Sequence, residues 1–116
     1  MIKGVHTMFY TSDAAGLRAF LRDKLNLKAR DVGDGWLIFD LPEADMGCHP
    51  SDEQRDAPSG TCDISFYCDD IEETVKELKA KGVKFKGPIE DHGYGLVSHF
   101  QAPGDFYIQL YQPKYK

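Results

Sequence analysis

The sequence predicts an α+β fold: two tandem βαβββ modules whose strands form one open, curved, mixed sheet around a cavity. Three observations predict it. A repeat runs at an offset of 57 residues, an amphipathic helix follows at equivalent places in each copy, and short alternating strand patterns follow each helix.

The repeat sets His6-Thr7-Met8-Phe9-Tyr10 against Asp63-Ile64-Ser65-Phe66-Tyr67. Both runs alternate and are rich in β-branched or aromatic residues, so both read as strands. Ser12-Asp13 opens the first helix. Asp69-Asp70 opens the second, with Asp70 and Glu73 at capping-box spacing. The first helix carries Leu17, Phe20, Leu21 and Leu25, and the second Ile71, Val75 and Leu78. Each apolar stripe needs a sheet to cover it. Asn26 and Gly82 accept a left-handed cap and should end the helices. Strands are then expected at Lys28–Val32, Trp36–Leu41 and Asp45–His49, and at Val83–Lys86, Leu96–Gln101 and Phe106–Tyr111. Gly33-Asp34-Gly35, Gly93-Tyr94-Gly95 and Pro103-Gly104-Asp105 supply the turns. The polar stretch from Pro50 to Gly60 reads as a linker. This places module one at about 1–50, the linker at about 51–60 and module two at about 61–116, all in a single domain spanning 1–116. Halves of this size bury too little alone and should fold together.

The 116 residues are 41% hydrophobic and 28% charged, enough for a core and a solvated surface. The net charge of −5 argues against a nucleic-acid partner, which would require clustered cations. Lys76, Lys79, Lys81, Lys84 and Lys86 are interspersed with Glu72, Glu73 and Glu77, as on a solvated helix face. No apolar run is long enough for a membrane span, and Met1-Ile2-Lys3-Gly4 leads directly into a strand pattern without a signal peptide. A cytoplasmic protein with no membrane partner is expected. Cys48, Cys62 and Cys68 lack zinc-finger spacing and are expected as reduced, buried thiols.

Strand alternation sorts the side chains into faces. Phe9, Phe66, Ile108 and Leu110 belong to faces suited to helices. His6, Met8 and Tyr10, then Asp63, Ser65 and Tyr67, then Tyr107, Gln109 and Tyr111 belong to the opposite faces, with Trp36 from the first module. Taken singly, each aromatic has the plain role of filling a curved sheet or an oligomer contact. Taken as a set with His, Asp and Gln, they suit a small-molecule pocket. Val97 and Phe100 fall on opposite faces of their strand, which leaves its orientation open. His99 is placed toward either cavity or solvent, and His92 reads as an exposed turn residue.

The order of these pieces resembles the vicinal oxygen chelate superfamily of glyoxalase I, bleomycin and fosfomycin resistance proteins, and extradiol dioxygenases. The carriers are Val5 through Tyr10, Ile64 through Asp70, Leu78 through Val83, and Gln101 through Tyr111. The resemblance covers essentially the whole chain. It implies paired βαβββ modules, often in a homodimer, and, in the metal-dependent members, a divalent ion (zinc, nickel, manganese or iron) held by sheet side chains. His6 matches the first ligand position. Asp63 stands where the family usually has His, Gln109 where it usually has Glu, and His49 lies at or beside the remaining position. The candidate metal set is therefore His6, Asp63 and Gln109. A neutral amide donates less charge than a carboxylate, and Asp is shorter than His. The alternative is a hydrogen bond between His6 and Asp63 without metal.

Two roles follow from the resemblance. One is a metal-independent binding protein of the bleomycin-resistance type, holding a partly aromatic or oxygen-rich ligand by stacking and hydrogen bonds. The other is a metal-dependent lyase, isomerase or dioxygenase that uses the same cavity. A third role, a regulatory domain that senses a metabolite, fits the same features.

Overall fold

The computed structural model describes residues 6–114 apart from Pro42, Asp45, His49, Glu53 and Arg55. The elements run α1 (Ala14–Asp23), β1 (Ala29–Asp31), β2 (Leu37–Phe39), β3 (Ser65–Tyr67), α2 (Ile71–Ala80), β4 (Phe85–Asp91), β5 (Gly95–Ala102) and β6 (Phe106–Pro113). The fold is the expected mixed α+β arrangement. β1 and β2 form an antiparallel hairpin, and the other strands form a four-stranded sheet in the order β3-β6-β5-β4. In that sheet β3 runs parallel to β6, while the remaining pairs are antiparallel. The second module is thus a complete βαβββ unit. Its parallel pair is possible because α2 carries the chain back across the sheet.

Both helices begin as their sequences dictate. The Asp13 carboxylate accepts the Gly16 N–H at 2.9 Å, and Asp70 accepts the Glu73 N–H at 3.1 Å. A Cβ on Gly16 would strike the Asp13 carboxylate, so a larger residue there would force that capping carboxylate to shift. A further amide of α2, that of Ile71, donates to Gln112 Oε1 of β6 at 2.8 Å. Asn26 and Gly82, at φ 57° and 87°, end the helices in the left-handed conformation.

The two copies of the repeat meet at equivalent residues. The Phe9 ring sits edge-on to Phe66, 57 positions later, with centroids 6.3 Å apart. Lys24 Nζ donates to the Lys81 carbonyl at 2.7 Å, and Lys81 Nζ donates to the Lys24 carbonyl at 3.1 Å. This reciprocal exchange, again across 57 positions, is the mark of a local two-fold relation between the helix ends. One core lies between the helices and the sheet: Leu17 and Leu21 from α1, Ile71, Val75 and Leu78 from α2, and Phe100, Ile108 and Leu110 from β5 and β6. Phe20 stacks on Phe100 at 5.9 Å, and Phe85 meets Phe100 edge-on.

The first module departs from the expected pattern at its outer strands. His6–Tyr10 lies in no ladder. Of the expected strand Asp45–His49, the two ends fall outside the described residues, and Met46, Gly47 and Cys48 are unpaired. The second module shows why the two go together: a first strand of this unit pairs with the last strand of its module, as β3 does with β6. The stretch that should receive His6–Tyr10 contains Glu43, Ala44 and Gly47 between prolines at 42 and 50, all poor strand formers. Without that partner the first segment has no ladder to join. It instead runs along the second module, where Thr11 Oγ1 donates to the Pro103 carbonyl at 2.9 Å. The expectation of buried thiols fails for two of the three cysteines. Cys48 and Cys62 are exposed because both lie outside paired strands, and only Cys68 is partly covered. Burial raises the Cys68 thiol pKa, so it stays protonated near neutrality.

Two stability measurements check this packing. Phe100 is fully buried and contacts rings from α1 and β4, so Phe100→Ala should cost about 3–5 kcal/mol in urea unfolding. Gly60 and Gly104 have similar positive φ, 93° and 100°, but a Cβ on Gly104 would strike Thr11 while one on Gly60 meets nothing. Gly104→Ala should therefore destabilise the protein by roughly 1 kcal/mol more than Gly60→Ala, through loss of the Thr11 anchor.

Candidate functional site

An open cleft of about 1910 Å³ lies between the first-module segments and the second-module sheet. Strand register decides what the sheet presents to it. Ser65, Gln109, His99 and Lys86 are direct partners across β3, β6, β5 and β4, so they form one row on one face. Two residues further along the strands, Tyr67 on β3 and Tyr111 on β6 form a second row with Val97 of β5. Two residues of strand separate the rows by about 7 Å. Val97 is fully buried on this face, whereas Phe100 faces the helices, which resolves the orientation of β5.

The polar row is internally bonded. Gln109 Nε2 donates to Ser65 Oγ at 3.0 Å, and both side chains are half-buried. With one Gln109 N–H used inward, its amide retains the carbonyl oxygen as an acceptor and a second N–H as a donor. His99, beside Gln109 in the register, is half-buried and lines the cleft. The aromatic row is extended by Tyr94 of the β4–β5 turn, whose ring lies 5.8 Å from that of Tyr111 at an angle of 50°. Tyr111 itself lies over Gly95, where a Cβ would strike its ring. Glycine is required there because an aromatic ring takes the space above the backbone.

Most of the residues picked from sequence border this cleft. Ser65, Tyr67, Gln109 and Tyr111 come from the sheet. Asp63 precedes β3, and His6, Met8 and Tyr10 come from the unpaired first segment. Trp36 lines it from the β1–β2 turn, half-exposed, with the Arg18 guanidinium 4.8 Å from its ring centre. Tyr107 does not line it. It shares the face of Gln109 but lies at the start of β6, where the Lys86 ammonium stands 5.2 Å from its ring. His49 lies outside the described residues. Lining residues outside the expected set include His99, whose strand face the sequence leaves ambiguous, and His92 and Tyr94, whose turn folds back over β6. The Gly93-Tyr94-Gly95 spacing marked that turn but not its direction.

The expected metal set, His6, Asp63 and Gln109, borders the same cleft. His6 is not in a strand, so the repeat does not place it opposite Asp63 in a ladder. Among the described residues, no three His, Cys, Asp or Glu side chains gather closely enough to hold an ion. Gln109 is bonded to Ser65 and carries no charge. An imidazole, one carboxylate and a neutral amide already engaged in a hydrogen bond make a weaker donor set than one with further charged or imidazole ligands.

Solved structures share the fold at low identity. An antibiotic binding protein from Streptomyces sp. CB03234, TnmS3, is 20% identical over 98% of this chain and 100% of its own, with a TM-score of 0.65. Lactoylglutathione lyase from Agrobacterium tumefaciens is 16% identical over 91% of this chain and 90% of its own, with a TM-score of 0.64. A superfamily member from Sphaerobacter thermophilus DSM 20745 is 21% identical over 96% of this chain and 98% of its own, with a TM-score of 0.62. No protein with a curated function matches the sequence. Among the described residues no helix is long and apolar enough to cross a membrane. The model of the Glyoxalase/Bleomycin resistance protein/Dioxygenase superfamily matches residues 3–110, and the chain belongs to that superfamily.

Proposed function

We propose that this protein binds a small molecule that combines a flat ring with an oxygen substituent, and that binding does not depend on a metal. The observation that carries this reading is the pair of rows on the cleft face. Tyr67, Tyr111 and Tyr94 offer apolar, π-bearing surface, and Ser65, Gln109 and His99 offer hydrogen-bonding groups about 7 Å away. A ring resting on the tyrosines brings a substituent on its far side to the polar row. The Gln109 oxygen accepts a hydroxyl there, and the His99 imidazole donates or accepts according to its tautomer. The open cleft also admits a ligand larger than one ring. The neighbour described as an antibiotic binding protein supports a binding role on this fold.

The ligand set supports the same choice. A catalytic ion of this family type would need strong donors at the positions of Asp63 and Gln109, and Gln109 is a hydrogen-bonded neutral amide. The competing reading, a metal-dependent lyase, isomerase or dioxygenase, is separated from this one by metal content. Protein purified without added metal should contain well under one equivalent of zinc, nickel, manganese or iron by elemental analysis. A full equivalent that disappears in His6→Ala would overturn the binding reading.

Ligand binding gives the second check. In a thermal-shift screen of phenols, naphthols and hydroxyquinones, compounds of this class should raise the melting temperature. Gln109→Leu and His99→Leu should each weaken the best of them by roughly tenfold, the worth of one buried hydrogen bond. A screen without a hit would remove the reading altogether.

A further inference from the structure

Three arginines lie among the described residues, and two of them have a carboxylate partner. Arg22 donates twice to Asp23, at 2.7 and 2.9 Å, and Arg30 stands 3.6 Å from Asp40. Arg18 differs. Among the described residues no carboxylate or other hydrogen-bond acceptor meets its guanidinium. Its contact is with Trp36, whose ring centre lies 4.8 Å from the guanidinium carbon. An aromatic face attracts a cation but takes none of its N–H bonds in the ordinary way. The guanidinium donors are left to water or to a ligand.

Both residues line the cleft. Arg18 follows Leu17, which is in the core, so it stands at the border of the buried stripe of α1 and is itself half-buried. Trp36 is placed by the turn before it. Its N–H donates to the Gly33 carbonyl at 2.9 Å, and its own carbonyl accepts the Val32 N–H at 3.0 Å. Gly33 and Gly35, at φ 142° and 81°, permit that turn. The lysines that line the cleft are already engaged, since Lys24 and Lys81 each donate to the other's carbonyl. Arg18 is therefore the lining cation with its donors open, in a chain of net charge −5. A half-buried charge without a partner has lost part of its hydration, and a bound anion replaces it with charge-assisted hydrogen bonds.

Resting on the cleft reading above, we propose that Arg18 and Trp36 form an anion subsite, and that the ligand of the cleft bears a carboxylate besides its flat ring and hydroxyl. The fork of a guanidinium matches the two oxygens of a carboxylate. Trp36 restrains that fork before the ligand arrives, so less freedom is lost on binding. A monoanion also suits the charge. One guanidinium balances one carboxylate, whereas a dianionic phosphate would keep a charge unmatched, with Lys24 and Lys81 turned to each other. The subsite lies on the first module, and the tyrosine and polar rows lie on the second. The cleft of about 1910 Å³ has room for a ligand that reaches both.

The test uses hydroxynaphthalenes with a carboxylate attached to the ring directly or through a short methylene chain, each beside its primary amide. The two members of a pair share ring and hydroxyl and differ in charge at pH 7. Affinities are read by calorimetry on the full chain. Wild type should bind the best acid about tenfold more tightly than its amide, and added salt should weaken the acid but not the amide. Arg18→Met should reduce the preference to about twofold or less, and Trp36→Leu to roughly threefold, by releasing the guanidinium. The two substitutions together should lose no more than Arg18→Met alone, because both act on one contact. Arg30→Met, the same change of charge away from the cleft, should leave the preference as it is. Melting temperatures within a few degrees of wild type exclude a general loss of structure. Equal binding of acid and amide by wild type overturns the proposal, as does an Arg18→Met protein that keeps the preference. Either result leaves the cleft reading standing, because ring and hydroxyl are still bound. If no acid, amide or simple phenol binds, the cleft reading fails and the subsite falls with it.

Discussion

The structure depends on β6 lying between β3 and β5. Its side chains alternate, so Ile108 and Leu110 enter the core beneath the helices while Gln109 and Tyr111 turn into the cleft. A slip of one residue would exchange the two sets, burying a polar amide and exposing two aliphatic side chains. The buried face resists that slip, and the site inherits its accuracy from the core. The Gln112 bond to the first turn of α2 adds a further constraint, since it links the end of the same strand to the helix that makes the parallel pairing possible.

The duplication contributes differently to core and site. Equivalent residues meet where the two halves touch, as in the Phe9–Phe66 contact and the exchange between Lys24 and Lys81. The helices therefore share one core although they come from different copies. The sheets do not follow the same symmetry. The second copy completes its ladder, and among the described residues the first retains only a hairpin, because the stretch around Gly47 is a poor partner for His6–Tyr10. The organised part of the cleft accordingly belongs to the second module, and the first module borders it with unpaired chain and the Trp36 turn.

Within the cleft the chemistry is that of recognition. The polar row uses a hydroxyl, an amide and an imidazole, and one of its hydrogen bonds is already made. Such groups orient a ligand at small cost of desolvation, whereas a set of carboxylates would call for a cation to balance it. The aromatic row supplies area, and Gly95 leaves the space in which Tyr111 can lie against the backbone. The nearby ionic contact of Asp91 with Lys114 lies in solvent. Its hydrogen bonds, first the one from Lys114 and then that from Gly93, hold the Asp91 carboxyl below the usual carboxylate range. This contact between Lys114 and Asp91 is thus intact above that range and is lost as the pH falls through the lowered value.

From the sequence alone came the features set by neighbours along the chain. Both helices, their Asp caps, their Asn26 and Gly82 ends, the three glycine turns and the alternating faces of β3 and β6 all follow from local spacing and conformational preference. The repeat also carried the superfamily assignment. Tertiary structure decided the rest. It left His6–Tyr10 without a ladder, because pairing depends on a distant partner. It turned His99 into the cleft and Phe100 into the core, because an apolar strand reads alike from either side until something packs on it. It carried Tyr107 away to lie under Lys86, and it brought Tyr94 into the aromatic row through Lys114, a residue 20 positions away. The part of the site that lies in strand register was legible, and the part that depends on one segment folding over another was not.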